Sequence, residues 1–143
     1  MTLAVVAGAG PGPAVITVTG DVDVMNAGQL RELLLEQYAA GERHFVLDLS
    51  DVTFLDSTGL GVLVATHRRT RNGAGSLRLV VTRKQLLHLL RMTGLHSVFH
   101  VYPTLDDAMD AASTDLPEAV GPRIPRQAVS PALRRAPATT AAN

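Results

Sequence analysis

The chain has no cysteine, so disulfides and thiolate chemistry are excluded and a reducing compartment is compatible. Aromatic residues make up 3% of its 143 residues, so any core must be aliphatic. Hydrophobic residues reach 46%, which is enough to build one. Neither sign of charge is in excess: 13 Lys and Arg balance 13 Asp and Glu. That balance argues against nucleic acid or an anionic membrane as an obligate partner. No apolar run approaches the ~18 residues of a membrane span. The opening Met1-Thr2-Leu3-Ala4-Val5-Val6 lacks the basic region of a signal peptide, so the expectation is a cytoplasmic protein.

The length suits one domain and a tail. Composition changes near residue 113: Pro117, Pro122, Pro125, Pro131 and Pro137 recur among Ala, Ser, Thr and Arg, without apolar periodicity. We expect a domain over 1–113 and a disordered, Pro/Ala-rich tail over 114–143. Within the domain, apolar segments alternate in type. Leu3–Ala7 and Ala14–Thr19 read as strands joined by the Gly- and Pro-rich stretch 8–13. Asn26 with Gln29 has the pattern of a helix capping box, Leu30, Leu33, Leu34 and Tyr38 form a stripe, and Gly41 ends the helix. His44–Leu49 is a near-continuous apolar strand, as for a strand covered on both faces. A short polar loop is expected after it, then a helix over about 58–72 stopped by Gly73 and Gly75. Leu77–Val81 is a further strand. Thr82 with Gln85 repeats the capping pattern before Leu86, Leu87, Leu89 and Leu90. Val98–Tyr102 is the last strand, and Thr104 with Asp107 opens a last helix. Strand–helix–strand units cross over with a right hand, so the expected fold is α/β, a mostly parallel five-stranded sheet with an antiparallel edge strand and about four helices.

The most informative residue is Ser57, at an Asp56-Ser57-Thr58-Gly59 step where a helix should begin. A hydroxyl there is well placed as an N-cap. Leu60 would occupy the third helical position, so no capping-box acid reciprocates. Gly59 and Gly61 would leave the first turn bare and open to a large partner. Phosphate at a helix N-terminus is tolerated by the amides and the dipole. It would add about 1.5 to 2 negative charges. Asp56 and Asp23 would then make the patch strongly acidic. The capping reading and the switch reading both remain open on these residues alone.

Several ordered segments resemble the STAS family of bacterial anti-sigma factor antagonists. They are Val15–Asp23, ending Gly20-Asp21-Val22-Asp23; Asn26-Ala27 with Leu30-Arg31; Asp48-Leu49-Ser50 with Phe54-Leu55-Asp56-Ser57-Thr58-Gly59-Leu60-Gly61-Val62-Leu63; Gly75–Val80; Thr93-Gly94-Leu95 with Val98-Phe99; and Asp106-Asp107-Ala108. The family commonly has Glu where this chain has Asp21 and Thr where it has Asn26. The resemblance implies a STAS-like single domain that binds an anti-sigma factor. That partner would also be a serine kinase of the GHKL type. A sigma factor is released, the kinase uses its own ATP to phosphorylate Ser57, and a PP2C-type phosphatase resets the switch. Thr58 is a minor candidate acceptor. Asp21, Asp23, Asp56, Ser57, Thr58 and Gly59 would form the partner-facing surface. The chain itself would be no enzyme and would hold no metal or cofactor; it has no Gly-x-x-x-x-Gly-Lys-[Ser/Thr] loop. An alternative is a STAS module in another signalling complex.

Other patterns compete weakly. Asp21-Val22-Asp23-Val24 is similar to the nucleophile motif of haloacid-dehalogenase phosphatases, with Asp106 and Asp107 as a late acid pair. That would make a small magnesium-dependent phosphohydrolase, but the chain is short for it and has no cap domain. A phospho-aspartate receiver needs a lysine after its last strand, whereas the only lysine, Lys84, precedes a helix. His44, His67, His88, His96 and His100 show no metal-ligand spacing, and His67 falls on an apolar helix face. Arg68, Arg69 and Arg71 complement a helix C-terminus.

Overall fold

The computed structural model describes residues 1–7 and 12–113. Its elements, in order, are β1 (Thr2–Ala7), β2 (Ala14–Val22), α1 (Ala27–Ala39), β3 (His44–Leu55), α2 (Ser57–Asn72), β4 (Ser76–Val80), α3 (Lys84–Met92), a 3₁₀ turn (Leu95–Ser97), β5 (His100–Tyr102) and α4 (Leu105–Ser113). The expected tail, 114–143, and the middle of the first linker, 8–11, lie outside the described residues.

The five strands form one sheet in the order β1-β2-β3-β4-β5. β1 runs antiparallel to β2 and the other pairs are parallel, which is the mixed sheet the alternation implies. Strands β2 to β5 are added in one direction. Right-handed crossovers then deliver α1, α2 and α3 to the same face. One apolar cluster accordingly unites Leu30 and Leu34 of α1, Leu60 and Leu63 of α2, and Leu86 and Leu90 of α3 with Ile16, Phe45, Leu47, Leu77 and Leu79 of the sheet. The opposite face is covered by α4, whose Ala108, Met109 and Ala112 pack on Val15, Val46 and Val80. The two clusters explain why β3 begins as a continuous apolar run: odd positions face three helices and Val46 faces the fourth.

The sheet departs from the expected outline at the end of β3. Residues 50–55 are strand, not a polar loop. β3 inserts one extra residue against β2 between the pairs Thr17↔Asp48 and Thr19↔Asp51. It inserts another between Gly20↔Val52 and Asp21↔Phe54. Each bulge breaks the two-residue alternation. Val52 and Leu55 thereby both point into the core, while Phe54 stays half-exposed. The irregular spacing looks like a loop in the sequence.

Two of the expected caps are also different. Thr82 does not cap α3; Arg83 stands at the N-cap without a side-chain capping bond. The Thr82 hydroxyl and the Arg83 Nε instead donate to the Ser50 carbonyl, tying this turn to β3. Asn26 stands at the α1 N-cap but makes no capping bond. Its amide turns back, accepting from the Asp23 N–H at 3.0 Å and donating to the Asp21 carbonyl at 2.9 Å. Thr104 does behave as expected, accepting the Asp107 N–H at 3.1 Å.

Candidate functional site

The site forms where β2 and β3 end side by side. Val22 pairs with Leu55, and the Asp56 N–H donates to the Val22 carbonyl at 3.1 Å. This register places the β2–α1 turn, Asp23 to Asn26, against the first turn of α2. The contact is closed by Asp56. Its Oδ1 accepts the Thr58 N–H at 2.9 Å and the Gly59 N–H at 3.1 Å, and its Oδ2 accepts the Val24 N–H at 3.1 Å. The Thr58 hydroxyl also donates to Asp56.

Asp56, not Ser57, is therefore the N-cap of α2. A carboxylate at that position satisfies two orphan amides with one oxygen and reaches the neighbouring turn with the other, which a serine hydroxyl is too short to do. These bonds hold the Asp56 carboxyl below its usual value of 3.8. The Thr58 hydroxyl contributes most, partial burial opposes it, and the amides of Gly59, Thr58 and Val24 add to it.

Ser57 moves to the first helical residue and is exposed. Its hydroxyl makes no hydrogen bond among the described residues. Thr58, by contrast, has its hydroxyl engaged. The Thr58 and Gly59 amides are not free to receive a phosphate, because Asp56 already occupies both.

Gly59 is buried and does not leave the surface bare. A Cβ there would lie 2.5 Å from Leu55 Cδ1 and 3.0 Å from Val22 Cγ1, so a glycine lets α2 start flush against both strands. Gly61 supplies the openness instead: it is exposed, with nothing within 4 Å of a Cβ.

The remaining acids surround this turn. Asp21 is exposed and its carboxylate accepts from the Thr53 hydroxyl. Asp23 is half-buried and its Oδ1 accepts the Met25 N–H at 3.0 Å. Among the described residues no three His, Cys, Asp or Glu side chains are grouped to hold a metal ion. Asp106 and Asp107 belong to the first turn of α4, on the opposite face of the sheet from α1 to α3.

Three apolar side chains at this end of the sheet were not singled out from the sequence. Val24 is 69% exposed, Met25 86% and Phe54 53%. The signal was present: an apolar pair, Val24-Met25, interrupts a turn whose other residues are polar. Exposed apolar side chains grouped around a polar target are typical of a docking surface.

Residues 5–108 match the family model described as the STAS domain. The chain is similar to the anti-sigma-F factor antagonist RsfB of Mycobacterium tuberculosis, with 36% identity over 101 residues, covering 68% of this chain and 80% of that one. It is similar to the anti-sigma-B factor antagonist of Bacillus subtilis, with 35% identity over 86 residues, 60% of this chain and 78% of that one. Among solved structures, an anti-sigma factor antagonist from Mycobacterium paratuberculosis superposes with a TM-score of 0.67 at 30% identity, covering 78% of this chain and 94% of that one.

Proposed function

The chain belongs to the STAS-domain family of anti-sigma factor antagonists, and from that premise we propose that it binds an anti-sigma factor through the end of the sheet around Ser57 and so releases a sigma factor. The partner is a serine kinase of the GHKL type that supplies ATP and phosphorylates Ser57, and a PP2C-type phosphatase reverses the step. The chain acts as binding partner and phosphate acceptor, not as a catalyst. Among the described residues, no helix is long and apolar enough to cross a membrane.

One observation carries this reading. Ser57 presents an exposed hydroxyl with no partner among the described residues, beside Val24 and Met25. An acceptor hydroxyl must be free to enter another protein's active site, and Thr58 is not, because its hydroxyl is bonded to Asp56. Phosphate on Ser57 leaves the cap intact, since Asp56 performs the capping. It places a dianion at the edge of an apolar contact surface. A partner covering Val24 and Met25 would then have to strip water from that charge without a compensating cation. Asp56 and Asp23 add to the negative potential. The fold is preserved and the interface is lost, which is the physics of a local charge switch.

The test is a pull-down with unphosphorylated protein, followed by ATP and phosphosite mapping. Phosphate on Ser57 together with release of the complex is expected. Phosphate on another residue, or a complex that persists after full phosphorylation of Ser57, overturns the proposal. Ser57→Ala should bind and resist release.

A further inference from the structure

α2 runs from the Ser57 surface to the other end of the sheet, about 24 Å for sixteen residues at ~1.5 Å each. There the helix meets the first residues of β4 and β5 around a cavity of about 370 Å³. His67 and Arg71 of α2, Leu77 of β4, Val98 just after the 3₁₀ turn and His100 of β5 are among its lining residues. Arg71 also borders an adjoining hollow with Arg68 and Asn72. Among the described residues, no carboxylate lines either one.

The usual account of arginines at a helix C-terminus is complementation of the dipole. That accounts for Arg69 and Arg71. It does not account for His67, which is 9% exposed with its Nδ1 buried and without a hydrogen-bond partner among the described residues. Buried polar atoms are nearly always paired, so an orphan on a side chain that lines a cavity calls for a missing partner. The ring is held edge-on to Phe99, with centroids 5.6 Å apart and planes at 81°, so it cannot swing freely toward solvent. The charges acting on it are all cationic: Arg71, His100 and Arg68. Burial first, and then these positive charges, lower the ring's pKa, and an anion among them would offset the charges.

We propose that this cavity binds a small organic anion, a phosphate or carboxylate carried on a short apolar body. The Arg71 guanidinium supplies the fork that matches either oxyanion. His100 faces the same space, and His67 gains the partner it lacks by taking up a proton when the anion enters. Val98, 40% exposed, receives the apolar part. The C-terminal dipole of α2 opposes an anion here, so binding depends on Arg71.

The test is an NMR titration of the full chain, following the ring signals of His67 and His100, with phenyl phosphate, benzoate, inorganic phosphate and benzyl alcohol as probes. Phenyl phosphate or benzoate should shift both rings saturably and move His67 toward its protonated form. Inorganic phosphate should bind more weakly, and benzyl alcohol should have no effect. Arg71→Gln changes an exposed side chain, so it should fold normally and weaken binding by about tenfold or more. No saturable shift, binding unaffected by Arg71→Gln, or equal response to benzyl alcohol would each overturn the proposal.

Discussion

Replacing Met25 with alanine should separate binding from folding. The side chain is 86% exposed, so little of it is buried within the chain. Its backbone N–H bond to Asp23, at 3.0 Å, survives in alanine. Stability should therefore change by no more than about 0.5 kcal/mol. For a domain of this size that is a shift in Tm of about 2 to 4 °C at most. A partner that covers Met25 gains what the free chain leaves in water. Full burial of a methionine is worth about 1.5–3 kcal/mol, and the exposed share together with the retained Cβ brings the loss to about 1–2 kcal/mol. Affinity for the anti-sigma factor should then fall about 5- to 30-fold. Isothermal titration calorimetry beside thermal unfolding reads both quantities. Met92→Ala is the control: it is 72% exposed, but it ends α3 and so lies at the far end of the sheet from Ser57. If Met25→Ala leaves the affinity unchanged, or Met92→Ala lowers it equally, the apolar surface beside Ser57 is not the docking surface.

The same reasoning extends to other positions. Ser57→Asp should shift Tm by no more than about 3 °C, because Asp56 does the capping, yet weaken partner binding about 100-fold; unchanged affinity contradicts a charge switch. Gly75→Ala would put a Cβ 1.8 Å from the Arg43 carbonyl oxygen, which also accepts the Ser76 N–H at 2.9 Å. Moving that backbone should cost about 3 kcal/mol or more in urea unfolding, and a loss below about 1 kcal/mol would show that the turn yields freely. Asp56 has a lowered folded pKa, so its contribution is fully present above the unfolded value of 3.8 and is lost as pH falls through the folded one. Asp56→Asn should erase that part of the acid unfolding curve. His67 is also lowered, by burial first and then by Arg71, His100 and Arg68. Its unfolded form takes up a proton near pH 6.5 while the folded form resists, so stability should be full above 6.5 and decline below it. His67→Phe should flatten that decline; an unchanged slope assigns it to another group.

Much of the fold is legible because strands and helices carry different periods and glycines punctuate them. The stripe Leu30, Leu33, Leu34 and Tyr38, the run His44–Leu49 and the stops at Gly41 and Gly73 all depend on neighbours a few residues apart. The caps are less legible. Asp56 and Ser57 are both good N-cap residues, and the choice fell to Asp56, which also accepts the Val24 N–H, 32 residues away in sequence. Likewise Thr82 was drawn off to the Ser50 carbonyl. No local pattern shows such a competitor. The two bulges in β3 disguise a strand as a loop for a similar reason: only pairing with β2 shows which residues are extra.

The sequence by itself determined the α/β alternation, the family, and Ser57 as the residue that matters, because each depends on residue types in local order. Only the tertiary structure decided why Ser57 is available. The register that sets Val22 beside Leu55 brings the Asp23–Asn26 turn to α2. Asp56 then satisfies the helix amides and occupies the Thr58 hydroxyl, leaving the Ser57 hydroxyl without a partner among the described residues, next to the exposed Val24 and Met25. Hydrogen-bond competition across the sheet, not the motif alone, is what leaves that hydroxyl free.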